Sequence, residues 1–155
     1  MILYHGRFQP PHSGHIKMIV TALNEYPEQT MLVSMDSGNG DKNNPYSFHD
    51  RKMAMVGQLI GYSDRVLIKE HPTGKNAEEC MHNIYNSVKG FDIQYVLLGP
   101  EPRDYVEDVW KSKYPIEVIQ LTEERFFNVS ATKLRKYAAK GKENCCKRQK
   151  PFTMR

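Results

Sequence analysis

Hydrophobic residues occur along the chain in short continuous runs and in helical repeats, and the two patterns alternate. Residues 1–4 form an apolar run, which predicts a strand buried on both faces of a sheet. Apolar residues then recur at helical spacing, at Ile16, Ile19, Val20 and Leu23. This spacing predicts a helix that begins at Ser13 or Gly14, with Ser13 as its N-cap.

Four further strands and four further helices are predicted from the same patterns. The strands cover residues 30–35, 65–68, 95–99 and 116–121. The helices begin near residues 47, 76, 103 and 130, and Ser47 with Asp50 three residues later forms a capping box. His71 follows the third strand and is interpreted as an ordinary loop residue, with contact to a substrate as the alternative. Strands that alternate with helices predict an α/β protein with a parallel sheet.

The segment 6–15 joins the first strand to the first helix and has the strongest chemical signal. Its two prolines prevent a helix across the junction, and glycines on either side allow a ligand to approach the backbone. His12 and His15 fall in or beside the first helical turn, where free amides and the helix dipole favour anions. Two alternatives remain open: packed or solvated histidines, and half of a zinc site. The chain has no HExxH pattern or cysteine pair near them to complete such a site.

Two other segments resemble ligand-binding loops. Residues 36–45 are rich in Gly, Asn and Asp and follow the second strand, at the edge of an α/β sheet where ligands bind. Arg51 lies in the first turn of the next helix, where it is either a surface residue or a phosphate ligand. Gly99 closes the fourth strand before a proline, which suggests a close approach of backbone to ligand.

The last predicted helix offers a second set of phosphate ligands. Ser130 is its N-cap, and the hydroxyl of Thr132, the amides of the first turn and the cation of Arg135 add further donors. A Ser-x-Thr helix start is also a common cap, so this pattern alone is weak.

The segment GRFQPPHSGH at residues 6–15 resembles the HxGH signature of the nucleotidyltransferase superfamily. Its GRFQP part resembles nicotinamide mononucleotide adenylyltransferases of the archaeal type and of the type fused to Nudix hydrolases. Residues 44–51 resemble the family's Asn-Pro loop and arginine, and residues 128–135 resemble its ISSTxxR signature, with Ala131 replacing the second serine. The resemblance covers residues 1–140. It implies a Rossmann-like, doubly wound five-stranded parallel sheet in the order 3-2-1-4-5, with helices on both faces.

The resemblance also implies roles for individual residues. His12 and His15 would contact the α- and β-phosphates of ATP, and Arg7, Arg51 and Arg135 would bind its phosphate chain or the acceptor phosphate. Further residues expected to bind the nucleotide are Gly6, Phe8, Gln9, Gly14, Gly99, Ser130, Ala131 and Thr132. Asn44 is expected to contact the acceptor. For Trp110 we expect packing within the domain, and stacking on the nicotinamide ring of the acceptor is the alternative that the resemblance implies.

The implied reaction transfers the adenylyl group of ATP, with Mg²⁺ on the triphosphate, to nicotinamide mononucleotide and yields NAD and pyrophosphate. The acceptor phosphate is already ionised at neutral pH, so the reaction needs no general base. A nucleotidyltransferase with another phosphorylated acceptor and a non-catalytic nucleotide sensor are the alternatives.

The composition of the chain is compatible with these hypotheses and indicates its size and surroundings. The 155 residues are enough for one domain with a proper core, and 39% are hydrophobic. We expect a cytoplasmic protein that does not contact membranes, because neither a long apolar run nor a signal peptide is evident. The three cysteines form no disulfide framework and fit reduced thiols.

The net charge of +4 is concentrated at one end of the chain. Residues 140–155 contain six lysines or arginines and one glutamate, so the remaining residues are close to neutral. The resemblance implies a nucleotidyltransferase domain at 1–140. Because this part of the chain is close to neutral, we expect no nucleic-acid partner. The basic residues 141–155 are expected to form a solvated, mobile tail, with contact to an acidic partner as the alternative. Assembly into a homo-oligomer is left open.

Overall fold

A parallel β-sheet forms the centre of the fold in a computed structural model, which describes residues 1–99, 108–110, 112 and 116–120. Its strands are β1 (Ile2–Gly6), β2 (Met31–Asp36), β3 (Val66–His71), β4 (Tyr95–Leu98) and β5 (Glu117–Gln120). They lie in the order β3-β2-β1-β4-β5, and every neighbouring pair is parallel. The predicted strand order is confirmed.

Helices alternate with these strands along the chain. They are α1 (Ser13–Glu25), α2 (Phe48–Gln58) and α3 (Ala77–Val88), with a short 3-10 helix at Ile60–Tyr62. Residues 108–110 and 112 are helical, within the predicted fourth helix. The helix predicted to begin at residue 130 lies outside the described residues.

Side chains of the sheet alternate between two hydrophobic clusters, one on each face. Ile2 and Tyr4 of β1 pack in a cluster with residues from α1 and α2, while Leu3 packs in the other cluster, with residues from α3 and with Trp110. Residues 2–5 of β1 are buried on both faces, as the apolar run predicts. The sheet is therefore doubly wound, with helices on both faces, and the fold class predicted from the sequence is confirmed.

The position of β1 places the first loop at the point where the chain changes direction across the sheet. β1 pairs with β2 on one side and with β4 on the other. In open α/β sheets, ligands bind outside the carboxyl end of the strands at such a switch point. The loop from residue 7 to 12, which leads into α1, lies there.

Helix starts and strand ends show what the sequence patterns capture and miss. Ser47 is the N-cap of α2, as predicted, and its Oγ accepts a hydrogen bond from the Asp50 amide at 3.1 Å. The prediction of Ser13 as the cap of α1 is wrong, because His12 is the N-cap and Ser13 is the first helical residue. The third strand continues to His71, which pairs with Asp36, because the ladder with β2 extends three residues beyond the apolar part of the strand.

In the part of the chain that the structure describes, every helix is too short or too polar to cross a bilayer.

Two glycines provide a test of how closely α3 packs against the end of β3. A Cβ at Gly74 would overlap the backbone nitrogen of Cys80 and lie 2.7 Å from its Cα, whereas a Cβ at Gly57, on the exposed side of α2, would meet nothing within 4 Å. We expect Gly74→Ala to lower the free energy of unfolding by about 1–3 kcal/mol through overpacking. The matched Gly57→Ala should raise it by up to about 1 kcal/mol, since alanine favours the helix. Urea denaturation measures both, and equal effects would contradict the packing of α3 against the end of β3.

Candidate active site

The loop after β1 begins with a buried aromatic residue in an uncommon backbone conformation. Phe8 has a φ of 50° and its side chain is buried. Non-glycine residues rarely adopt positive φ, so the surrounding packing must hold it. The Phe8 ring packs edge to face against Tyr4, with centroids 5.2 Å apart, and against His15, with centroids 4.8 Å apart. Phe8 therefore supports the His15 ring from one side.

The two histidines cap α1 reciprocally. His12 Nδ1 accepts the Gly14 amide hydrogen at 3.0 Å, and His15 Nδ1 accepts the His12 amide hydrogen at 3.1 Å. Their rings stack with centroids 3.7 Å apart and an angle of 22° between their planes. A ring nitrogen that accepts an amide hydrogen carries none of its own, so both imidazoles are the tautomer with hydrogen on Nε2. The start of α1 thus has two imidazole donors with a fixed hydrogen position.

Gly14 is required by this cap. A Cβ at position 14 would lie 2.8 Å from Cε1 and 3.0 Å from Nδ1 of His12. Any side chain here would push the imidazole off the amide that it caps. The glycine between the two histidines therefore has a packing reason as well as the predicted one, access of a ligand to the backbone.

Gln9 joins the loop after β1 to the loop after β2. Its side chain is fully buried, and its Nε2 donates to the carbonyls of Gly38 at 3.1 Å and Tyr46 at 2.9 Å. Its Oε1 accepts the Tyr46 amide hydrogen at 2.9 Å. These contacts are all within the protein, so the structure places Gln9 as a residue that positions the loop of residues 37–46.

Arg51 is buried, so the alternative of a surface helix residue is wrong. Its Nη1 donates to the carbonyls of Arg7 at 2.7 Å and Asp36 at 2.8 Å, and its Nε donates to the Ser47 carbonyl at 3.1 Å. Its Nη2 is buried and, among the described residues, has no hydrogen-bond partner. Burial lowers the pKa of Arg51 from its ordinary value, although the charges of Asp36 and Glu70 oppose this change. A buried guanidinium with one donor atom left over is suited to an anionic ligand.

Arg7 and Asn44, both predicted site residues, meet at the surface of the same region. Arg7 is exposed, and its Nη1 lies 3.5 Å from Asn44 Oδ1. The Asn44 amide donates to Asp41 Oδ1 at 2.8 Å, and hydrogen bonds from Asn44 and Asn43 lower the pKa of Asp41. The Asp41 carboxylate therefore shapes the tip of the loop that carries Asn44.

A polar cluster at the ends of β2 and β3 was not predicted. Asp36 Oδ1 accepts hydrogen bonds from the Gly38 amide at 2.8 Å and from Thr73 Oγ1 at 2.7 Å, while His71 Nδ1 lies 2.7 Å from Ser34 Oγ. Burial lowers the pKa of His71 to about 4, against the opposing charge of Asp36. His71 is a buried strand residue, so its interpretation as a loop residue is wrong. Its position at a strand end beside Asp36 was a usable signal, because parallel strands end at one edge of the sheet.

Trp110 packs inside the domain and does not present a ring face for stacking. Its indole is wholly buried, and its Nε1 donates to His5 Nε2 at 3.2 Å. The expected packing within the domain therefore agrees with the structure, and the alternative of stacking on the acceptor ring does not. The physical reason is that β1 and α3 enclose Trp110 in the second hydrophobic cluster.

The remaining predicted residues divide into two groups. Gly6 lies at the end of β1 with the Phe8 ring over it, 3.3 Å from where a Cβ would be, and Gly99 lies just after β4, near Met18. The predictions for Ser130, Ala131, Thr132 and Arg135 fall outside the described residues, as does the tail. The structure thus brings together Gly6, Arg7, Phe8, Gln9, His12, Gly14, His15, Asn44 and Arg51.

The fold and the site together define a class of protein. A donor-rich loop follows the first strand of a doubly wound parallel sheet, at its switch point and at a helix N-terminus, as in α/β proteins that bind phosphate groups. A family model described as cytidylyltransferase-like matches residues 3–137, and the chain belongs to this family. The nucleotidyltransferase superfamily inferred from the HxGH segment is thereby confirmed.

Individual proteins similar to the chain carry adenylyltransferase names. It is 30% identical over 96 residues to a nicotinamide-nucleotide adenylyltransferase of Caldivirga maquilingensis, a match that covers 60% of this chain and 54% of the relative. The chain therefore spans about half the length of this curated relative.

Two solved structures show the same fold. One is a bifunctional NMN adenylyltransferase/ADP ribose pyrophosphatase from Francisella tularensis, complexed with AMP and a manganese ion. Its TM-score is 0.68 at 22% sequence identity, and the match covers 90% of this chain and 41% of that one. The other is the Plasmodium falciparum nicotinic acid mononucleotide adenylyltransferase complexed with NaAD, with a TM-score of 0.55, 15% identity, and coverage of 88% and 82%.

His71 predicts a specific dependence of stability on pH. Because its pKa in the fold is about 4, below its ordinary value of 6.5, the unfolded chain binds the proton first as pH falls. Stability should therefore be retained above pH 6.5 and lost between pH 6.5 and 4, by about 3 kcal/mol in total from this group.

Urea denaturation of metal-free protein across this pH range measures the effect. His71→Asn should flatten the pH dependence even if it lowers stability at neutral pH, whereas His49→Gln, at an exposed histidine, should leave it unchanged. An unchanged slope in His71→Asn would contradict the account of a buried neutral imidazole.

Proposed function

We propose that this chain transfers the adenylyl group of ATP to nicotinamide mononucleotide, yielding NAD and pyrophosphate. The observation that carries the proposal is the reciprocal histidine cap, which fixes two imidazole donors at the N-terminus of α1. Membership of the cytidylyltransferase-like family and the likeness to the Caldivirga adenylyltransferase support the reaction and the acceptor.

The reaction joins two anions, so its main physical requirement is to hold them together. An oxygen of the acceptor phosphate attacks the α-phosphorus of ATP, a new P–O bond forms, and the bond to the pyrophosphate oxygen breaks. The nucleophile is already ionised, so catalysis depends on alignment and on donors that stabilise the developing charge. Hydrogen on His12 Nε2 and on His15 Nε2 would serve the α- and β-phosphates.

Arginines would complete the anion site. The buried Nη2 of Arg51 lacks a hydrogen-bond partner in the described structure and would donate to a phosphate oxygen. Three carbonyls already hold the rest of this guanidinium, so it is oriented before the substrate binds. Arg7 lies beside Asn44 at the exposed edge, where both would contact the acceptor.

Other parts of the site remain proposals from the family resemblance. Gly6, Phe8, Gly14 and Gly99 would line the approach of the nucleotide, and Gln9 would act by holding the loop of residues 37–46. Ser130, Ala131, Thr132 and Arg135 would bind the β- and γ-phosphates from the last helix. We place this domain at residues 1–140 and a basic tail at 141–155.

The divalent cation would enter as part of the substrate, the magnesium complex of ATP. The segment 6–15 contains cations and hydrogen-bond donors but no carboxylate, so phosphate oxygens and water would supply most ligands of Mg²⁺. The bifunctional Francisella protein, part of which has this fold, was solved in complex with AMP and a manganese ion, which supports a nucleotide and a divalent cation as the ligands to test.

A direct assay tests the proposal. Purified protein with ATP, Mg²⁺ and nicotinamide mononucleotide should release pyrophosphate and form NAD in equal amounts. His15→Ala should lower kcat/KM about 10²-fold to 10³-fold, because it removes one donor to the transition state. His12→Asn should also lower it while keeping most of the stability, since asparagine is a good N-cap.

The control is His82→Gln, at an exposed histidine of α3. Its activity should equal that of the wild type. Near-wild-type turnover by His15→Ala would overturn the assigned chemistry, and a faster reaction with another phosphorylated acceptor at fixed ATP would overturn the assigned acceptor. Thermal stabilisation by ATP without pyrophosphate release would instead indicate a nucleotide sensor.

A further inference from the structure

Three potential metal ligands converge behind the loop of residues 37–46, from three different elements. Asp36 ends β2, His71 ends β3, and Cys80 lies in the second turn of α3. A carboxylate oxygen, a ring nitrogen and the thiol sulfur all lie within 4.8 Å of one another. We propose that Asp36, His71 and Cys80 bind one divalent cation of the zinc class, at a site separate from the magnesium of the nucleotide.

The spacing of the first two ligands fits a shared cation better than a direct bond. His71 Nε2 lies 3.8 Å from Asp36 Oδ2, which is too long for a hydrogen bond. Tetrahedral zinc, with bonds of about 2.0–2.2 Å to nitrogen and oxygen, places two such ligand atoms roughly 3.3–3.6 Å apart. The separation of this pair is therefore a few tenths of an ångström longer than that of two ligands around one ion, a difference that a small side-chain movement would close.

Neighbouring groups orient both side chains as outer-sphere partners do in metal sites. Ser34 Oγ lies 2.7 Å from His71 Nδ1, so the other ring nitrogen faces Asp36. Gly38 and Thr73 hold Oδ1 of Asp36, which leaves Oδ2 directed at His71. Ser34 and His71 are almost completely buried, so this geometry is constrained by packing. Outer-sphere bonds of this kind fix the orientation of ligating histidines and carboxylates.

Cys80 supplies the third ligand and determines the class of metal. The close approach of Gly74 to the Cys80 backbone brings the first turns of α3 against the end of β3. A thiolate with imidazole and carboxylate favours zinc-class ions, whereas Mg²⁺ and Ca²⁺ prefer oxygen ligands alone. Three protein ligands leave one position for water or a small ligand.

A cation here would stabilise the region next to the proposed nucleotide site. The carbonyl of Asp36 accepts a hydrogen bond from Arg51, and its side chain caps the start of the loop that Gln9 holds. Binding would tie β2, β3 and α3 together at this point. The proposal does not depend on the proposed reaction, because it concerns metal binding in the absence of ATP and acceptor.

The test uses the chelator-treated chain of 155 residues in which Cys145 and Cys146 are replaced by serine, so that Cys80 is the only thiol of that chain. Co²⁺ alone, the probe, should bind in one equivalent with a thiolate-to-cobalt charge-transfer band and the absorption of a tetrahedral ion, and Zn²⁺ should displace it. Cys80→Ser should abolish the charge-transfer band. Ser34→Ala should weaken Co²⁺ binding about 10-fold to 100-fold, because it removes an outer-sphere partner.

His82→Gln is the matched control and should bind Co²⁺ like the parent, since this histidine is exposed and lies outside the cluster. Zn²⁺ should raise the Tm of the parent but not that of Cys80→Ser, and this measurement tests the site even if Ser34→Ala does not fold. Failure of the parent to bind Co²⁺ stoichiometrically, or a charge-transfer band that persists in Cys80→Ser, would overturn the proposal. Both readouts are independent of NAD formation.

Discussion

The constraint on which the site depends is the pair of hydrogen bonds that His12 Nδ1 and His15 Nδ1 accept from backbone amides at the start of α1. Backbone amides at a helix N-terminus need acceptors, and here His12 and His15 provide them through Nδ1. The same bonds fix the hydrogen of each ring on Nε2. The same two side chains therefore cap the helix and supply the hydrogen-bond donors, and the glycine between them leaves room for the His12 ring.

The second feature of the site is that its buried polar groups connect the loops. Arg51 bonds to carbonyls of the first loop, the end of β2 and its own helix, and Gln9 bonds to both ends of the loop of residues 37–46. Buried polar groups are costly when unpaired, so this network specifies one arrangement of the loops. Among the described residues, Nη2 of Arg51 is buried without a hydrogen-bond partner, and its pairing with a phosphate would remove that cost.

Much of the fold could be predicted from periodicity alone. The buried run of β1, the helix after Ser47 and the alternation of strands and helices follow from local patterns, whereas the strand order came from the family resemblance. His71 was missed because the last residues of β3 are polar, and its burial depends on pairing with β2. Residue preference predicts Ser13 as the cap of α1, because serine is a common cap residue, but His12 makes the capping bond.

The residues of the site also divide into features that sequence motifs indicate and features that only the packing of the fold shows. The histidines and Arg51 were found from motifs, but only packing shows that Arg51 is buried. For Gln9 the motif gave the position, and its bonding to a loop about thirty residues away could not be inferred. Trp110 shows the limit of residue type as a guide, since an aromatic ring suited to stacking is enclosed between β1 and α3.

The most direct test of the central claim is the tautomer of the two imidazoles. Long-range nitrogen–proton correlation spectra of protein labelled with nitrogen-15 in its histidines distinguish hydrogen on Nδ1 from hydrogen on Nε2, and variants at positions 12 and 15 assign the signals. The account predicts that both rings of the nucleotide-free protein are neutral at neutral pH, with hydrogen on Nε2. Hydrogen on Nδ1 of either ring, in a neutral or a charged imidazole, would contradict it.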